Sequence, residues 1–126
     1  MAKSRSQLII ETLRNMQASS PDIEASAVVS VDGLTIASAL PHGVDEDRVA
    51  AMSAAMLSLG ERISSELSRG SLEQVYIKGS EGYVLLMSVA ENAVLTALAG
   101  ENAKLGLLLL DMCRTTNALS KIIREI

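Results

Sequence analysis

The chain has 126 residues, the size of one domain with its own core, since single domains cluster at about 100 to 150 residues. Apolar residues make up 48% of it but aromatics only 2%, in Tyr76 and Tyr83, so few rings are available for a base to stack on. Fifteen acidic against eleven basic side chains leave a net charge of -4 without any basic run, which argues against a nucleic-acid or anionic-membrane partner. A single cysteine, Cys113, argues against a disulfide framework or a thiolate metal cluster.

The amino-terminal stretch MAKSRSQLII is followed at once by Glu11 and Arg14, which is not the order of a secretory leader. No apolar run reaches the length needed to cross a bilayer. The expectation is one cytoplasmic domain over residues 1–126, with no membrane insertion.

Between Ser4 and Gln17, Leu8, Ile9, Leu13 and Met16 fall on one face of a helix, with Ile10 on its flank. SSPD ends it, because Pro21 disfavours helical geometry in the residue before it. The stretch EASAVVSVDGLTIASAL then reads as a hairpin about Asp32-Gly33, a pair favoured in two-residue turns. Folding there sets Val31 against Leu34, Ser30 against Thr35 and Val29 against Ile36, like against like.

A helix is predicted from about Asp45 to Leu67, its acidic start suiting the positive end of the helix dipole. On a helical wheel Val49, Met52, Met56, Leu59, Ile63 and Leu67 form one stripe, which as the large-residue side is expected to pack on a sheet. The opposite side carries Ala50, Ala51, Ala54, Ser58, Glu61 and Ser65, with Leu57 at its margin, and Arg48 and Arg62 flank it. From Val49 to Gly60 there is no charge, whereas a solvated helix normally carries Lys, Glu and Arg. Alanine is also the best helix former and is harmless on a wet face. The uncharged flat side nevertheless favours a close helix neighbour, with a symmetric dimer as the default form.

Three strands follow. LEQVYIKG turns Val75 and Ile77 one way and Tyr76 and Lys78 the other, as an edge that a second copy could pair. GYVLLMSVA and AVLTALAG, joined at Glu91 and Asn92, set Val89 against Val94, Met87 against Thr96, Ser88 against Leu95 and Leu86 against Ala97. Both faces are apolar, so both require a cover. From Asn102, a plausible N-cap, a last helix keeps Leu105, Leu108, Leu109, Met112, Thr116, Leu119, Ile122 and Ile123 on one side. The fold class is therefore α+β, an α/β sandwich of order α-β-β-α-β-β-β-α. Its five-stranded antiparallel sheet carries the terminal helices on one face and the central helix on the other.

VVSVDGLTIAS, AAMSAAMLSLGERISSEL, QVYIKGSEGYVLLMSV and AVLTALAGENAKLGLLLLDM, in this order, resemble the Roadblock family of light-chain domains over nearly the whole chain, from about Arg5 to Ile123. The resemblance implies a homodimer that pairs its third strands, with its central helices side by side. It also implies that this helical surface receives a small Ras-like GTPase and speeds GTP hydrolysis, as in MglB-type members. Other members are scaffolds, which is the alternative reading. The dimer or partner surface is placed at Ala50, Ala51, Ala54, Leu57, Ser58, Glu61, Val75 and Ile77, and possible GTPase contacts at Arg48 and Arg62.

No catalytic, cofactor or metal constellation stands out. His42 reads as an exposed loop residue and Cys113 as a small buried hydrophobe. KGSEG and LAGENAKLG lack the spacing of a phosphate loop. An enzyme or small-molecule sensor is accordingly the weakest class, and a non-enzymatic interaction module the strongest.

Overall fold

The computed structural model of the chain describes residues 2–124. The elements are α1 (Arg5–Ser19), β1 (Ile23–Ser30), β2 (Thr35–Ala39), α2 (Glu46–Glu66), β3 (Gln74–Gly79), β4 (Gly82–Val89), β5 (Ala93–Gly100) and α3 (Leu105–Arg124). All neighbouring strands are antiparallel, in the order β2-β1-β5-β4-β3, so β3 and β2 are the edges. The order α-β-β-α-β-β-β-α is the one read from the sequence.

α1 and α2 start where a side chain satisfies free backbone donors. Ser4 and Gln7 form a reciprocal capping box at α1, and the Asp45 side chain accepts from the Arg48 N–H at α2. Asn102 does not cap α3. The Leu108 N–H donates to the Lys104 carbonyl, so the helix opens two residues beyond Asn102.

The larger core lies under α1 and α3. Ile9, Leu13 and Met16 of α1 and Leu108, Met112 and Leu119 of α3 close over Val28, Leu85, Val89 and Leu95 of the sheet. Leu8, assigned to the same stripe, stays partly in solvent, and Cys113 is exposed rather than buried. The opposite face of the sheet, made of Ala27, Val29, Leu86 and Val94, meets α2.

Two turns differ from the sequence reading. Asp32 does not adopt the positive φ that a two-residue primed turn requires; only Gly33 does, at φ +88°. The Gly33 N–H donates to the Ser30 carbonyl and the Ser30 N–H to the Leu34 carbonyl, closing a three-residue loop over Val31, Asp32 and Gly33. The expected register, Val28 against Ala37, survives deeper in the hairpin, but a bulge shifts Val29 onto Thr35.

Between β4 and β5 the register slips by one, with Val89 opposite Ala93 and Met87 opposite Leu95, around a loop in which Ala90 takes φ +53°. Val89 therefore does not meet Val94, nor Met87 Thr96. Since both faces of these strands are apolar, hydrophobic pattern alone cannot choose between registers one residue apart.

Candidate functional site

α2 is the element on which the two chemistries of the sequence, large apolar and small, lie on opposite sides, and the structure reverses their expected roles. Ala50 (1% exposed), Ser53 and Leu57 (5%) face the sheet, with Ala54 half-buried beside them. Met52 (65%), Leu59 (59%), Ile63 and Leu67 face outward, while Val49 and Met56 sit half-buried at the margin. The stripe expected on the sheet is thus the solvent side, and Ala50 and Leu57, expected at a partner interface, are core.

The reason is distance. A β-carbon built on Gly33 would lie 3.6 Å from the Ala54 methyl, and one built on Gly60 only 2.8 Å from Val75 Cγ2. At two points along its length, Ala54 and Gly60, α2 rests on the hairpin and the sheet too closely for methionine or leucine side chains to intervene. A stripe of Ala, Ser and Gly meets that spacing, and the bulky residues are turned outward.

One polar contact sits in this seam. Thr96 Oγ1 donates to Ser53 Oγ at 2.8 Å, with both residues buried. Replacing Ser53 by Ala is expected to cost about 1 to 3 kcal/mol because the Thr96 hydroxyl is left unpartnered. The double variant Ser53→Ala/Thr96→Val should recover part of that loss. Urea denaturation checks both, and equal stability of all three proteins would show that the pair does not hold the helix.

The other residues assigned to an interface separate by exposure. Ala51, Ser58 and Glu61 are exposed on α2, Val75 is half-buried under Gly60, and Ile77 is exposed on β3. Arg48 is exposed at the start of α2. Arg62 is exposed too, but its Nε donates to Glu66 at 3.2 Å. The surface residues that sequence reasoning misses are Met52, Leu59 and Ile63, whose apolar stripe is visible in the sequence but reads there as core.

Met52, Leu59 and Ile63 recur along one side of α2, with the exposed Arg48 and Glu66 towards its two ends, and β3 presents one row of unpaired backbone groups at the sheet edge next to exposed Ile77. Among the described residues, no group of three or more His, Cys, Asp and Glu is placed to hold a metal ion, and no helix is long and apolar enough to cross a membrane.

The family model for the Roadblock/LC7 domain matches residues 9–99, and the chain belongs to that family. The uncharacterized protein MJ0310 of Methanocaldococcus jannaschii is 39% identical over 95 residues, covering 75% of this chain and 82% of its own. Among solved structures, Myxococcus xanthus MglB superposes with a TM-score of 0.86 at 17% identity, over 98% of this chain and 92% of that one. A structure described as MglB with a tetrameric arrangement gives 0.87 at 17% identity, over 97% of this chain and 92% of that one. At such identity the likeness is one of fold.

Proposed function

We propose that the chain is a homodimeric regulator that binds a small Ras-like GTPase on the α2 side of its sheet and speeds GTP hydrolysis. The observation that carries this reading is the outward stripe Met52, Leu59 and Ile63, too apolar to be left in water. A two-fold crossing of α2 with its copy covers the stripe, and pairing of β3 with its copy removes the open edge. The interface thus includes Met52, Leu59, Ile63 and Ile77, with Val75 supporting it from beneath, while Ala51, Ser58 and Glu61 lie on the other side of α2 and outside it.

The resemblance to MglB-type members supports a GTPase as the partner, and the likeness to a structure described as tetrameric is in keeping with self-association. In this reading the dimer acts by holding the GTPase's mobile loops in an arrangement competent for hydrolysis, which calls for contact area rather than for a particular side chain. Arg48 is the better placed of the two arginines to reach a partner, since Arg62 is engaged by Glu66.

The test is single-turnover GTP hydrolysis by the small Ras-like GTPases of the same genome, with and without this protein. A rise in rate of ten-fold or more is expected for the cognate GTPase. Binding with no change in rate would leave a scaffold, and absence of binding would end the GTPase reading.

A further inference from the structure

A second apolar surface adjoins α2 and is not part of its outward stripe. At the tip of the β1–β2 hairpin, Leu34 is 69% exposed and Val31 42%, which makes Leu34 a more exposed hydrophobe than Met52 or Leu59. The loop geometry explains how they come to be there. The three-residue turn and the bulge after it leave both side chains outside the strand pairing, where they add nothing to the core.

The tip is held in place rather than loose. The Ser30 N–H donates to the Leu34 carbonyl at 2.8 Å, the Gly33 N–H to the Ser30 carbonyl at 3.0 Å and the Leu34 N–H to Ser30 Oγ at 3.2 Å. The Val31 N–H also donates to the Asn92 carbonyl at 3.1 Å, tying the tip to the β4–β5 loop. A β-carbon built on Gly33 would lie 3.6 Å from the Ala54 methyl and 3.8 Å from the Ala51 α-carbon, so the tip that carries Val31 and Leu34 abuts α2 at Ala51 and Ala54, on the flank where Ala51 is exposed and Ala55 follows it one turn on. Two exposed apolar side chains held this firmly lose little freedom on binding, which is how a preformed contact point gains affinity.

The charges around this surface say what fits it. Asp32 is at the tip, Glu91 is in the loop that holds the tip, and Asp47 lies one turn before Ala51 on the same side of α2. The basic residues of α2 are Arg48 and Arg62, and Arg62 is already paired with Glu66. A second copy brought here would set carboxylates against carboxylates. We infer that the hairpin tip and the adjacent flank of α2 dock the GTPase itself, through an apolar side chain of the GTPase ringed by Lys or Arg. This rests on the GTPase reading above and assigns dimer and GTPase to neighbouring but separate surfaces.

The probes are the small Ras-like GTPases of the same genome, each loaded with a non-hydrolysable GTP analogue and titrated onto the intact protein by interferometry. Leu34→Asp and the milder Leu34→Ser are expected to weaken binding, the first by ten-fold or more, with thermal stability and mass in solution like the wild type. Asp32→Lys is expected to slow association and to flatten its dependence on salt. Undiminished affinity of both Leu34 variants for a GTPase that binds the wild type would overturn this inference and leave the GTPase reading standing. Binding lost only when Leu59 is changed would do the same. No binding by any of the GTPases to the wild type would overturn both.

Discussion

Leu57→Glu is expected to unfold the domain, whereas the same change two positions along, Leu59→Glu, is expected to leave a folded monomer. Leu57 is closed in by Ala27, Val29, Leu86 and Val94, none of which can partner a carboxylate. The variant loses the transfer energy of a buried leucine and strands a polar group in an apolar seam, together about 4 kcal/mol or more. Against a total stability of about 5 to 15 kcal/mol, that is enough to populate the unfolded state heavily. Leu59 points away from the sheet, so within one protomer its replacement should change stability by no more than about 0.5 kcal/mol. In the two-fold crossing proposed above it brings two carboxylates into one apolar contact, and that dimer should dissociate. Circular dichroism in urea reads the first effect and analytical ultracentrifugation the second. A Leu57→Glu protein as stable as the wild type would mean that α2 lies the other way round on the sheet. A Leu59→Glu protein of unchanged mass would remove the stripe from the dimer interface.

That contrast also marks what can be read from the sequence. Helix and strand positions are legible because each rests on local chemistry: the acidic start at Asp45, Pro21 as a stop, the long apolar repeat from Leu105. The rotation of α2 is not, because a helix with two apolar sides carries no one-dimensional signal for which of them packs. Its orientation is set by the approach of Gly33 to Ala54 and of Gly60 to Val75, contacts between residues about 15 to 21 positions apart in sequence, which only the folded chain reveals. The β4–β5 register is hidden for a related reason. With Leu85, Leu86, Met87, Val89, Val94 and Leu95 all buried, a slip of one residue still puts apolar side chains on both faces.

The same ambiguity decides how the candidate site is read. A flat, uncharged alanine face does signal close packing, but the close neighbour is the protein's own sheet and hairpin. The apolar stripe is then the unpaired side. On physical grounds it is also the stronger interface, because Met, Leu and Ile supply far more apolar area per residue than Ala and Ser. Of the interface and contact residues expected from the sequence, those at the surface are Ala51, Ser58, Glu61, Ile77, Arg48 and Arg62.

Gly82→Ala is expected to be the most costly methyl addition in the chain. Neither Ser80 nor Glu81 has a positive φ, so the β3–β4 turn lacks the primed geometry whose twist matches its strands. The deviation is taken up by the next residue, Gly82, at φ +155°, between its partners Gly79 in β3 and Gly100 in β5. A β-carbon there would lie 2.3 Å from the Ala99 carbonyl oxygen, a backbone atom that cannot swing aside as a side chain would. Ala99 is paired with Tyr83 on one side and Ile23 on the other, so moving it disturbs two ladders at once. The expected loss is about 2 to 4 kcal/mol, the sum of backbone strain and overpacking. Gly106→Ala provides the control of opposite sign. That glycine is in the first turn of α3 with nothing within 4 Å of an added methyl, so alanine there should stabilise by up to about 1 kcal/mol through helix propensity. Both values come from the midpoint and slope of urea unfolding. A Gly82→Ala protein within about 0.5 kcal/mol of the wild type, the range of an ordinary surface substitution, would show that the three strands do not meet as tightly at this corner as the geometry requires.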